Sequence, residues 1–268
     1  MNGPPPGTRQ RAKARALLAA TAQCAASGAL PVVRDALDRA ASADARPFEL
    51  IAGAPLSRYG ARLTFVARRT AMKLAEAFGV AGHPWGIPAW VGVRVRSDGS
   101  RAIKAYHRVT VHEGFPPLPD SFPRDLYPVM ASLAGDDVEL YLRCRTSCAW
   151  GTFAASCLAP LAAPAGAFAP RPRPAEHAFC VSVRWTRGLL TAVTLYADHR
   201  GLPDERTTER EWAAGLDAEA ERSYRAALAT VHELRGRRGP VVHAMLAWSV
   251  DGNGVWQRAA SIALPDAF

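Results

Sequence analysis

The sequence predicts an α/β fold in which helices alternate with five antiparallel β-hairpins, and the ten strands close into one β-barrel surrounded by helices. Three observations carry this. Pairs of β-prone segments recur along the chain, each joined by a turn rich in Gly, Asp, Asn, Pro or Ser. Stretches with apolar residues three and four apart separate the pairs. Ten strands left as an open sheet would curl or split and expose two edges, which closure removes.

Residues 1–8 read as a disordered tail and 9–268 as a single domain. Helical spacing over Thr8–Ser42 is broken into two helices by Gly28 and Pro31. The first hairpin joins Phe48–Ala52 to Arg62–Ala67, and a helix follows from Arg69 to Phe78, stopped by Gly79. The second joins Trp90–Arg96 to Arg101–Val109 across Ser97-Asp98-Gly99-Ser100. A proline-punctuated stretch, Phe115–Pro128, leaves room for only a short helix. The third hairpin joins Val129–Leu133 to Val138–Arg143 across Ala134-Gly135-Asp136-Asp137. A helix over Ala149–Leu161 and a Pro/Ala-rich loop to Pro174 lead into the fourth, Ala178–Trp185 with Leu190–Ala197 across Thr186-Arg187-Gly188. One helical block, Thr207–Leu234, presents Trp212, Leu216, Tyr224, Leu228 and Val231 on an apolar face. The last hairpin is Val241–Val250 with Trp256–Leu264.

Composition narrows the function classes. The chain has 268 residues, 49% of them hydrophobic, which is enough for a sizeable core. No apolar run reaches the length of a membrane span, and no signal-peptide centre is seen, so a cytoplasmic protein is expected. Five cysteines without CxxC or zinc spacing fit reduced thiols. The net charge of +9 is nearly all arginine and favours anionic partners. The charges are dispersed and accompany no nucleic-acid motif, so phosphorylated small molecules are preferred over nucleic acid. No GxSxG, P-loop or GxGxxG follows a strand, which sets aside hydrolase, NTPase and Rossmann readings. Asp136-Asp137 lies in a predicted turn, no DDxxD follows, and His83, His107, His112, His177, His199, His232 and His243 show no ligand spacing. No metal site is expected.

The second strands of the hairpins share a pattern. Arg62 and Thr64, Lys104 and Tyr106, Glu139 and Tyr141, and Thr194 and Tyr196 each sit two apart, so each pair shares a strand face. Leu63, Ala105, Leu140 and Leu195 point the other way. A polar lumen with an apolar outer face gives this alternation; so do charged residues and tyrosines on a solvent face.

On these residues the chain resembles the aromatic prenyltransferases of the ABBA barrel, and most closely their dimethylallyltryptophan synthase-like indole branch. In that branch an early strand carries a glutamate for the indole N–H, and the returning strand an arginine; Glu49 and Arg62 match them. A Lys-x-Tyr strand is matched by Lys104 and Tyr106, and later strand tyrosines by Tyr141 and Tyr196. The resemblance implies transfer of a dimethylallyl or longer prenyl group from its diphosphate to an aromatic acceptor, without Mg2+ or another cofactor. It implies Glu49 as the catalytic residue, Arg62, Lys104 and Arg258 as diphosphate ligands, and Tyr106, Tyr141 and Tyr196 as a shield for the allylic cation. Thr64, Glu139 and Thr194 are further lumen candidates. Glu49 also reads as an ordinary strand glutamate. The chain departs from the family at Glu139, where a basic residue is usual, at the final strand, which lacks a tyrosine, and in being shorter. A terpenoid-modifying cyclase on the same barrel, using Glu139 as an acid, and a non-catalytic barrel for an anionic small molecule or lipid are the alternatives.

Overall fold

A computed structural model describes residues 30–54, 61–67, 71–82, 85–95, 100–109, 114–163, 178–214, 216, 218–235 and 243–263. The expected helix before Gly28, the tail, Cys24, the Ser97–Gly99 turn, and His83, His112 and His177 lie outside these residues. In chain order the elements are α1 (Leu30–Ser42), β1 (Ala45–Ala54), β2 (Ala61–Ala67), α2 (Ala71–Ala77), β3 (Trp90–Val95), β4 (Arg101–Arg108), β5 (Leu126–Ala134) and β6 (Asp137–Cys144). There follow α3 (Trp150–Leu158) with a 3-10 turn (Ala159–Leu161), β7 (Phe179–Thr186), β8 (Leu189–Asp198), α4 (Glu205–Ala213), α5 (Ala218–Arg235), β9 (His243–Asp251) and β10 (Trp256–Ala263). The strands form a closed barrel in the order β1-β10-β9-β8-β7-β6-β5-β4-β3-β2. Each strand thus pairs with its sequence neighbours, as consecutive hairpins require.

The strands of these ladders are two-faced. Directly opposed residues share a face. On one face Leu63, Phe65, Val91, Val93, Leu140, Leu142, Val181, Val183, Val193, Leu195, Leu246 and Val250 are all buried. This is the face the helices cover. Residues of α5 at helical spacing, Ala220, Tyr224, Ala227, Leu228 and Val231, are buried with it, as are Trp150, Phe153 and Cys157 of α3.

By contacts the chain divides into two compact units. One holds α1, β1, β2, α2, β3, α5, Arg101–Ile103 of β4 and the end of β10 from Ser261; Phe65 stacks on Phe78 in its core, with ring centroids 5.4 Å apart. The other holds Lys104 onward through α4, with β9 and β10 to Ala260; Trp150 packs against Phe179 and Trp248 at 5.0 and 5.2 Å.

The differences from expectation have local causes. β1 and β5 begin earlier than expected, taking in Pro47 and Pro128, and the ladder shifts register beside each proline, between Pro47 and Glu49 and between Pro128 and Met130. A proline donates no hydrogen bond, so the strand bulges past it. Residues 114–125, with prolines at 116, 117, 119 and 123, form turns and no helix. The expected block Thr207–Leu234 is two helices: α4 ends at Ala213, just ahead of Gly215, a residue suited to ending a helix. Asp204 caps the start of α4, accepting from the Thr207 backbone N–H at 3.1 Å and from its hydroxyl at 2.8 Å. The β7–β8 turn has Arg187 at φ 52° and Gly188 at φ 80°, the two positive angles of a two-residue type I′ turn.

Candidate active site

The face opposite the apolar one is polar, and in the second unit its side chains form one network. Register places Tyr106, Ser132, Glu139 and Arg184 side by side on β4, β5, β6 and β7. The next row runs Met130, Tyr141, Ser182, Thr194 and Ser249 across β5 to β9. Glu139 is at the centre. One of its oxygens accepts from Lys104 Nζ and the other from the Ser182 hydroxyl. Lys104 Nζ also donates to Tyr141 Oη at 2.9 Å, and Ser182 Oγ shares a hydrogen bond with Tyr196 Oη at 3.1 Å. Burial alone would push the Glu139 carboxyl up, but the Lys104 and Arg184 cations and the Lys104 and Ser182 hydrogen bonds outweigh it and lower its pKa to about 2.

This network orients the aromatic groups. The Tyr106 and Tyr141 ring centroids are 5.9 Å apart, and those of Tyr141 and Tyr196 are 6.1 Å apart. The Lys104 ammonium lies 5.5 Å from the centres of both the Tyr106 and Tyr141 rings, within range of a cation–π contact with each. The box therefore accommodates a positive charge. Thr194 donates to Ser249 Oγ at 2.9 Å, and Arg143 pairs with Asp198 at 3.1 Å on the same face.

In the first unit Glu49 is held by two hydroxyls: Ser261 donates to one carboxylate oxygen, and Thr64 to the other at 3.2 Å. Ser261 stands on the strand that lacks the family's tyrosine, and it engages the proposed catalytic carboxylate instead. In the neighbouring row, Arg62 of β2 faces Arg94 of β3 directly across the ladder. Like charges so placed repel, and an anion between them relieves the repulsion.

Lys104, Tyr106, Glu139, Tyr141, Thr194 and Tyr196 thus share the polar face of one unit, and Glu49, Arg62 and Thr64 that of the other. Arg258 does not join either. It is three residues from Ser261, so alternation puts the two on opposite faces of β10, and its guanidinium lies over the Trp212 ring of α4 at 5.7 Å. Burial lowers its pKa there. Ser132, Ser182 and Arg184, all of the polar face, and Arg94 stand on the first strands of their hairpins, where the sequence pattern was sought only on the second. The same period-two alternation runs through Val91–Val95 and Val181–Trp185 and marks them.

Two other groups are structural. His243 donates its backbone N–H to Glu205 at 3.2 Å and its Nδ1 is 2.7 Å from the same carboxylate, which ties the start of β9 to the start of α4; with Glu209 these groups fall within 4.8 Å of one another. Cys144, Cys148, Cys157 and Cys180 form no disulfide, and burial pushes the pKa of each up, as for inert cysteines.

Comparison with solved structures decides the fold. The 5-dimethylallyltryptophan synthase from Streptomyces coelicolor is 16% identical, with 99% of each chain covered and a TM-score of 0.60. The prenyltransferase PriB in its apo form is 16% identical over 94% of this chain and 95% of its own, with a TM-score of 0.63. The 6-dimethylallyltryptophan synthase from Micromonospora olivasterospora, in complex with DMASPP and Trp, is 14% identical over 81% of each chain, with a TM-score of 0.52. Their fold is the fold of this chain. The ABBA barrel expected from the resemblance is therefore present. No protein-family model matches the sequence. No curated protein matches it. No helix among the described residues is long and apolar enough to cross a membrane.

Proposed function

We propose that the chain is an aromatic prenyltransferase of the cytoplasm, acting as one catalytic domain over residues 9–268, that transfers a dimethylallyl or longer prenyl group from its diphosphate to an aromatic acceptor, with an indole the first candidate. The observation that carries the reading is the row of Tyr106, Tyr141 and Tyr196 rings, the first two with the Lys104 ammonium 5.5 Å from their centres, in a barrel whose structural neighbours include a PriB complex with L-tryptophan and dimethylallyl thiolodiphosphate. Heterolysis of the allylic C–O bond sends the electron pair to the diphosphate and leaves an allylic cation. The tyrosine faces stabilise that cation without reacting. Arg62, Arg94 and Lys104 neutralise the leaving group. Glu49, preset by Ser261 and Thr64, accepts from the acceptor N–H or O–H as the ring carbon attacks, and transfer of the ring proton to the released diphosphate restores aromaticity.

The charge state of Glu139 weighs against the cyclase reading. A carboxyl with its pKa lowered to about 2 is ionised at neutral pH and has no proton to give an alkene. Its role here is to hold Lys104 and Ser182. The function is tested by incubating the protein with dimethylallyl or geranyl diphosphate and tryptophan or simpler indoles, with products read by mass spectrometry. A prenylated acceptor is the expected result. Tight binding of the diphosphates with no product from any aromatic acceptor would replace the enzyme with a binding barrel.

A further inference from the structure

Between Tyr106 and Glu139, in the same row of the polar face, stands Ser132 of β5. Its side chain is 1% exposed, and its hydroxyl makes no hydrogen bond to any of the described residues. Its neighbour Glu139 is already engaged, with one oxygen taken by Lys104 and the other by Ser182. A buried hydroxyl without a partner is costly to the folded state, and such groups in native proteins have a reason to be there. Ordinary packing would fill this place with alanine, as at its chain neighbour Ala131, also fully buried.

We propose that Ser132 is a donor-binding residue, its hydroxyl donating a hydrogen bond to an oxygen of the bound diphosphate. The inference rests on the transferase reading and adds a residue to it. The chemistry of the surroundings selects the partner. Glu139, directly opposite Ser132, is flanked by the cations of Lys104 and Arg184, two positive charges against its one, so this part of the polar face favours an anionic oxygen. Glu139 stands where the family has a basic residue and takes up part of the charge of Lys104. A neutral donor on the adjacent strand makes up a contact there without adding a cation beside Arg184.

The test uses the full chain, with inorganic pyrophosphate and dimethylallyl thiolodiphosphate as probes and calorimetry as the readout. Ser132→Ala is expected to weaken both probes by about tenfold or more, since the lost bond is to a charged acceptor. The ligand-free variant is expected to melt at the wild-type temperature or above it, because the unpartnered hydroxyl is gone. That combination is the signature of a binding group. A lower melting temperature would mark the hydroxyl as structural and overturn the inference. So would unchanged affinity for both probes, or weakening confined to the prenyl analogue, and either result would leave the transferase reading standing. Failure of the wild type to bind either probe would defeat that reading, and this inference with it.

Discussion

Lys104 and Glu139 show how far a single residue's role follows from its pattern. Lys104 stands where the Lys-x-Tyr resemblance puts a diphosphate ligand, and it does face Tyr106 and Tyr141, yet it is also ion-paired to Glu139, with both side chains mostly buried. Strand alternation shows which side chains share a face; it does not show which of them pair across strands whose register is set by turns and bulges. Arg258 was misplaced for a related reason, because a three-residue offset from Ser261 changes face and the sequence alone does not say which face is inner. Breaking the buried pair from one side leaves a charge without its partner, so Lys104→Met is expected to cost about 3–5 kcal/mol in urea unfolding. Lys104→Met combined with Glu139→Gln should cost less than the sum of the two single changes. The pH dependence has a definite sign. The Glu139 pKa is lowered from 4.5 to about 2 on folding, so its stabilisation is full above pH 4.5 and is lost as the pH falls towards 2. The stability advantage of wild type over Glu139→Gln should shrink across that window, and an advantage that grows on acidification would contradict the ionised assignment. Glu49→Gln, by contrast, is expected to leave affinity for the thiolodiphosphate analogue within about twofold while depressing turnover, because its proposed partner is the acceptor.

Elements were legible where two signals agreed. The five hairpins announce themselves because β-prone runs and turn residues coincide, and the ladders of β5–β6, β6–β7 and β7–β8 fall where expected. Boundaries failed where one residue carries two messages. Pro47 and Pro128 read as strand breakers but sit inside strands at register shifts, and Gly215 was passed over inside a helical pattern whose apolar spacing runs on across it. The β7–β8 turn offers a test at this scale. Arg187 takes a positive φ of 52°, which a side chain with a Cβ tolerates poorly and asparagine tolerates better, while its exposed ion pair to Asp136 contributes little. Arg187→Asn is therefore expected to stabilise the protein by up to about 1 kcal/mol, visible as a raised melting temperature. A fall of that size would mean that the Asp136 contact outweighs the backbone strain.

On the proposed function the molecule as a whole has to neutralise a diphosphate, and the balance of its charges decides how. The chain carries a net +9, but a metal-dependent prenyl transfer would instead need carboxylates free to hold magnesium. Among the described residues of the polar face, Glu49 is committed to Ser261 and Thr64, Asp137 to Thr186, Glu139 to Lys104 and Ser182, and Asp198 to Arg143 and Arg200. The grouping that could coordinate a cation, Glu205, Glu209 and His243, stands where α4 begins and β9 begins, with Glu205 engaged by both the backbone and the ring of His243. On the proposed function Arg62, Arg94 and Lys104 meet the diphosphate directly, and each charge-assisted contact would contribute about 1.5–3 kcal/mol. Turnover should then persist in excess EDTA at the rate seen without it. Bound diphosphate should raise the melting temperature equally with and without chelator, a ligand at a hundred times its Kd adding about 2.7 kcal/mol to stability. Loss of turnover on chelation, with recovery on adding magnesium, would instead require a cation bridging the diphosphate to carboxylates that this structure holds in ion pairs and hydroxyl contacts. Glu49 would then be the first to examine, since its partners are two neutral hydroxyls and it could exchange them for a metal at the least electrostatic cost.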